Sequence, residues 1–412
     1  MKSIFLLGLL LMGSIVSWGY DFSAEAPSGQ RLYYNITSAT ERIVQVTYPR
    51  EAAYPWVGYT TPVGDVTIPE SVTYDGVSYT VTSLIRAAFG DCTEMTSVTL
   101  PNTITELPEW AFGGCTSLTE VALPSGLRSI GASAFESCRS LSEVTLPNTV
   151  TTIGNRVFSG CTALTRAVLG SSLTAISEEA FYGCAIMDIT FPDALTTIGD
   201  RAFGSCGFTS LVFPDGLVSI GSEAFDGCRS LTRVVLPNSV TTIGGRAFQR
   251  CHALTHVFLG SSVTDVGDYA FSDCAIDTLV SMAVNPPSLP STNVFRYIPF
   301  TMNVLVPQSA YEAYRYADVW CNYHIVGIEE EGGDDPTEGI SPVQGSSSVR
   351  VVGGAIVVEG AEGQTVVVYD VTGHLVGRHT IHGGTSTITL SRTGLYLVRV
   401  GDLPARKILV KS

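Results

Sequence analysis

Charge is scarce in this chain of 412 residues: Asp, Glu, Lys and Arg together make up 15%, against roughly 25% in an average soluble protein. A coiled coil or a long solvated helix is therefore excluded. Basic residues are scarcer still, 23 Lys and Arg against 38 Asp and Glu, for a formal net charge of −15. That field repels phosphate backbones and anionic lipid, so no nucleic acid is expected as a partner. Beyond the first residues, no apolar run is long enough to span a bilayer. The chain has no Cys-x-x-Cys, no Gly-x-Ser-x-Gly elbow, no phosphate-cradling Gly loop and no His-Glu-x-x-His. These absences remove the usual nucleophile, nucleotide and zinc signatures. No enzyme, cofactor or metal is expected.

What is present is 45% hydrophobic residues, with 41 Gly and 20 Pro, the makings of a real core cut into many short strands and turns. The ends differ from the middle. Lys2, the apolar stretch Ile4 to Val16 and the small residues of Ser17-Trp18-Gly19 read as a signal peptide over 1–19. Glu329-Glu330-Glu331-Gly332-Gly333-Asp334-Asp335-Pro336 reads as part of an acidic linker over 328–340. From 341 to 412 the balance reverses, with seven Lys and Arg against four Asp and Glu, a net of +3. A separate folding unit is expected there.

The middle repeats itself. A Phe, nearly always preceded by Ala, stands at 89, 112, 135, 158, 181, 203, 225, 248 and 271, in steps of 22 or 23 residues. A Cys follows each three residues later, from Cys92 to Cys274. Such a period signals a solenoid, whose units bury their apolar faces only by stacking. In one unit, Leu141-Ser-Glu-Val144-Thr-Leu146 alternates as a half-buried strand. Pro147 ends it, and Val150-Thr-Thr-Ile153-Gly154 makes a second short pass. Like residues should stack above like at about 4.8 Å. The nine aligned cysteines are then buried thiols acting as small hydrophobes, since their parallel Cβ directions disfavour bridging.

Units such as Leu231-Thr-Arg-Val234-Val-Leu236-Pro237 with Thr242-Ile243-Gly244, Ala247-Phe248 and Cys251 resemble the BspA-like leucine-rich repeats of bacterial surface proteins. The resemblance is close from Ser83 to Cys274. It implies a repeat solenoid, a β-rich leucine-rich-repeat array of about nine repeats over 83–327. A degenerate last turn runs through Phe295 and Val304 to Pro307, and a short helical cap holds Tyr311, Tyr314 and Trp320. An N-terminal β cap over 20–82 should close the other end. The tail, with Val366 to Gly373, Gly394 to Val398 and Lys407 to Lys411, resembles the sorting domain of the type IX secretion route. That implies a small all-β sandwich over 341–412, read by the secretion machinery, and a secreted or outer-surface address.

The repeat also presents a surface. The second and fourth residues after each leading hydrophobe should point outward. The first series includes Glu120, Glu143, Arg166, Asp188, Arg233 and His256; the second turns apolar at Val212, Val235, Phe258 and Val280. These residues are the candidate partner-binding face, the apolar ones forming one contiguous exposed stripe. β-Branched residues also stack across strands without any ligand. The family resemblance implies adhesion to an extracellular protein or cell-surface ligand, host matrix proteins included. The alternative is a surface module capturing carbohydrate or nutrients, which exposed aromatics would favour. Cys251, His252 and His256 come nearest to a metal cluster, and Cys321 and His324 to a nucleophile–base pair. Both sets read better as core, surface or cap packing. His374, His379 and His382 are expected on exposed turns.

Overall fold

The computed structural model describes residues 20–49, 56, 60–328, 348–352, 355–360, 362–370, 375–382, 385–390, 394–400 and 406–410. The expected signal peptide and most of the expected linker lie outside them. Among these residues the solenoid is nearly all short parallel strands, with one helix, Tyr311–Tyr316. Most turns give one strand to an outward sheet and a two-residue strand to a second. The outward strands run Gly64–Thr67, Met95–Thr99, Glu120–Ala122, then Glu143–Thr145, Arg166–Val168, Asp188–Thr190, then Arg233–Val235 onward to His324–Ile328. Gly64–Thr67, inside the segment read as a cap, is already the first rung, paired parallel to Met95–Thr99. The cap itself is a five-stranded sheet built from Phe22–Glu25, Arg31–Ser38, Ile43–Thr47, Val77–Leu84 and Ser71–Tyr74.

The nine phenylalanines superpose. Consecutive rings from Phe89 to Phe271 stack with centroids 5.3–5.5 Å apart, and Phe295 adds a tenth at 5.9 Å. Every ring in the column is buried. The backbone of this column is itself a ladder. The N–H of Phe158, for example, donates to the carbonyl of Ala180 in the next turn at 2.8 Å. Close stacking also dictates glycine at one corner. A β-carbon at Gly154, Gly244 or Gly267 would fall 2.3–2.4 Å from backbone of the preceding turn.

Two residues before each Phe the chain adopts a left-handed conformation, φ 53–60°, at Ala87, Trp110, Ser133, Arg156, Glu179, Arg201, Glu223, Arg246 and Tyr269. Only glycine visits that region without steric cost. The stack imposes it here on nine side-chain-bearing residues.

The outward strands fall into three sheets, with breaks after Ala122 and after Thr190, and at the second break the repeats shorten. In 23-residue turns such as Cys161 to Leu164, the Leu N–H closes onto the Cys carbonyl at 2.9 Å. Cys184 and Cys206 reach their leading hydrophobes, Ile186 and Phe208, one residue sooner, so that closure is lost. Ser210–Phe213, between Asp188–Thr190 and Arg233–Val235, forms no strand. The core beneath is filled by extra rings, with Phe191 stacked on Phe213 at 5.6 Å and Phe208 edge-on to Phe203 at 5.6 Å.

At the C-terminal end of the array Tyr314 and Trp320 are fully buried in the short cap. The Trp320 indole N–H donates to the Pro287 carbonyl at 2.9 Å and the Tyr314 hydroxyl bonds Ser281 at 2.7 Å. The tail forms two small antiparallel sheets. One holds Ser348–Val352, Ala355–Glu359 and Thr385–Thr389; the other holds Leu375–Thr380, Thr365–Asp370, Gly394–Val400 and Arg406–Val410. Ile356, Val358 and Ile388 from the first share a core with Val366, Val368, Tyr396 and Val398 from the second.

Candidate partner-binding face

Parallel pairing fixes what stands beside what on the outward face. Glu143, Arg166 and Asp188 lie in register across three neighbouring strands. All three are exposed, and the Arg166 guanidinium lies 3.7 Å from the Glu143 carboxylate. Glu120 is exposed in the next sheet toward the N-terminus, beside Ser97. Ser97 and Thr96 donate to Asp65, and these hydrogen bonds hold its carboxyl below the usual range. Farther along, Arg233, His256 and Thr278 are in register and half-buried. His256 Nδ1 meets the Thr255 hydroxyl at 2.9 Å, and its Nε2 lies 3.8 Å from Asp277.

The apolar series departs from the single exposed stripe expected for it. Val212 is 82% exposed, but it sits in the strandless segment and is not paired with Val235. Val235 and Phe258 are half-buried. Val280 is only 6% exposed and is corrected from surface to core. Register places Phe258 on one side of it and Leu305 on the other, and these join Met282 and Ile328 in a small cluster on the outward face. Leu305 belongs to the degenerate last turn, so the repeat alignment did not bring it into the row.

A second feature was not anticipated from the pattern. The left-handed positions carry a ladder of alternating charge along one edge of the solenoid. Arg156 pairs with Glu179 at 2.8 Å, Arg201 with Glu179 at 3.4 Å and with Glu223 at 2.7 Å, and Arg246 with Glu223 at 3.5 Å. Arg246 then lies over the ring of Tyr269. The Arg201 hydrogen bond holds the Glu223 carboxyl below its ordinary value. The signal was in the sequence two residues before each Phe: Arg, Glu, Arg, Glu, Arg.

A sequence profile of the BspA-type leucine-rich repeat region matches the chain in six copies over residues 82–208 and 174–296. The chain belongs to the BspA-type leucine-rich repeat family. No curated protein matches it. Among solved structures it is similar to a leucine-rich repeat protein from Bacteroides ovatus, at 24% identity over 74% of this chain and 99% of that one, TM-score 0.39. It is also similar to a leucine-rich cell surface protein from Faecalibacterium prausnitzii, at 23% identity over 74% and 94%, TM-score 0.40. The pneumococcal vaccine antigen PcpA aligns at 20% identity over 75% and 99%, TM-score 0.40.

Within this BspA-type array the cysteine column consists of free, buried thiols. They are more than small hydrophobes. From Cys115 to Cys274 each Sγ donates to the carbonyl of the Phe one turn back, at 3.1–3.4 Å. Burial pushes the thiols of Cys161 and Cys228 up to about 12, so they are poor nucleophiles. Cys251 is buried, while His252 is exposed beside Asp273 at 3.1 Å. Among the described residues no three metal-type side chains converge. Cys321 is exposed, a correction to its expected packing in the cap: the short 3-10 turn Trp320–Asn322 buries the indole and turns the thiol outward. His324 bonds Asn303 at 2.8 Å. His379 is exposed but lies within a strand, and His382 is exposed; His374 lies outside the described residues. No helix among the described residues is long and apolar enough to cross a membrane.

Proposed function

We propose that this BspA-type protein is an adhesin, displayed on the cell surface or secreted, whose outward sheet face binds another extracellular protein. The observation that carries the reading is the exposed, in-register row Glu143, Arg166 and Asp188, followed in the next turn of the array by the exposed Val212. Charged rows of this kind suit the polar rim of a non-obligate protein interface, and an exposed apolar side chain suits its centre. The stack behind the row is rigid, so docking orders little of it. Binding would proceed by many weak contacts with no bond broken, and Glu120, Arg233, Val235, His256 and Phe258 would extend the contact along the array.

The address in this proposal comes from the signal-like residues 1–19 and from the tail, acting as a type IX sorting signal. Host matrix proteins are the partner class to test first. Surface plasmon resonance of the chain from residue 20 onward over immobilised fibronectin, laminin and collagen should show binding to at least one. The double variant Arg166→Glu, Val212→Asp should weaken it at least tenfold with an unchanged Tm. Equal binding by the variant removes this face from consideration. Deleting 341–412 in an expressing cell should hold the protein inside the outer membrane; normal surface display of the deletion would refute the sorting role.

A further inference from the structure

Exposed aromatic side chains are absent from the candidate face but gather elsewhere. Tyr297 is 71% and Phe300 66% exposed, on the loop that follows the tenth Phe of the column. They flank a hollow of about 430 Å³ floored by Phe295 and Tyr323, with Arg296 and Asn293 at its rim. That volume lies within the roughly 300–1,000 Å³ of small-ligand sites. Phe295 meets Tyr323 edge-on at 5.4 Å, and Phe300 lies 5.7 Å from the same ring. The hollow is thus ringed by aromatic side chains, two of which the fold leaves in solvent.

Arg296 ends the charged edge of the solenoid differently from the arginines before it. Where Arg156, Arg201 and Arg246 each reach a glutamate, Arg296 lies over the faces of Tyr297 at 4.9 Å and Tyr269 at 6.0 Å. Among the described residues no carboxylate pairs with its planar array of N–H donors. Burial pushes the Tyr323 hydroxyl up to about 12, so it remains a neutral donor and acceptor at physiological pH.

We propose that this hollow is a binding site for a neutral hexose-based glycan, with pyranose rings stacked on Tyr297 and Phe300 and hydroxyls held by Arg296 and Asn293. Aromatic faces carry partial negative charge and favour the weakly positive C–H face of a sugar ring. A free cation is disfavoured because the Arg296 guanidinium already lies over one face of the Tyr297 ring and would repel it; the sugar ring takes the opposite face of this exposed side chain. An acidic chain is opposed by the protein's net charge of −15.

The test is affinity gel electrophoresis of the full chain through laminarin, yeast mannan, amylose and, as the acidic control, hyaluronan. At least one neutral polysaccharide should retard the wild-type protein. Tyr297→Ala and Phe300→Ala should each weaken that retardation at least tenfold, with unchanged circular dichroism and Tm. Arg296→Lys should also weaken it, because the charge remains but the plane is lost. The sheet-face variant Arg166→Glu should be retarded like wild type, which separates this site from the protein-binding face. Retardation by none of the neutral chains, by hyaluronan alone, or equally for the Tyr297 and Phe300 variants would overturn the proposal.

Discussion

The thiol of Cys161 lies 3.1 Å from the carbonyl oxygen of Phe135, one turn back in the stack. The same oxygen accepts the backbone N–H of Cys138 at 3.2 Å, so the Phe carbonyl uses two donors, one from its own turn and one from the next. Cysteine fits this position because it joins small apolar volume to a weak donor. Cys161→Ala should cost about 1–2 kcal/mol, from a lost hydrogen bond and a small void. Cys161→Ser keeps a donor and should cost less. Urea denaturation of both decides the matter, and a serine variant as unstable as the alanine one would remove the carbonyl contact from the account.

Alkaline pH should unfold the array. In an unfolded chain the thiols ionise near about 8.5. Burial holds those of Cys92, Cys115, Cys138, Cys161, Cys184, Cys206 and Cys228 above their ordinary value, Cys161 and Cys228 to about 12. The unfolded state therefore gives up these protons first as pH rises. Stability from this source is complete below about 8.5 and falls above it, by up to about 1.4 kcal/mol per pH unit for each thiol. Melting under reducing conditions should drop steeply between pH 9 and about 11, with thiolate absorbance appearing at the unfolding step. Thiolate absorbance preceding the loss of circular dichroism would contradict this.

Phe158 sits between Phe135 at 5.4 Å and Phe181 at 5.3 Å, fully buried. Phe158→Ala should destabilise by about 3–5 kcal/mol, as for other buried aromatics. A change near zero in the denaturation midpoint would mean that the column relaxes around the missing ring.

Glu179 separates two effects at one position. Its carboxylate is held by Arg156 and Arg201, and its backbone is left-handed at φ 53°. Glu179→Ala loses the ion pairs, worth about 1 kcal/mol, and keeps the strained conformation. Glu179→Gly loses the same pairs but removes a steric penalty of about 1 kcal/mol. The glycine variant should therefore be the more stable of the two by chemical denaturation; the reverse order would show that the backbone there carries no strain.

Much of this was legible because a solenoid writes its core as period. Phe89 to Phe271 and Cys92 to Cys274 identify their own columns, and Tyr314 with Trp320 marks the closing cap. Backbone conformation was harder to see. Two residues before each Phe the chain is left-handed, yet those positions hold Trp110, Arg156 or Tyr269, none of which advertises a positive φ; the stacking ladder imposes it. Val280 was misplaced because its burial depends on Leu305, in a turn too degenerate to align. Tyr297 and Phe300 lie in that same last loop, outside the repeat that made the rest readable.

The one-thiol-per-turn column has a consequence for how the molecule must be made. Folded, nine sulfhydryls are shielded from any oxidant. Denatured, they are near-equivalent and free to couple at random, since exchange requires only an accessible thiolate. A crosslink between distant rungs would forbid the stack, so productive assembly has to outrun oxidation or take place before an oxidant is met.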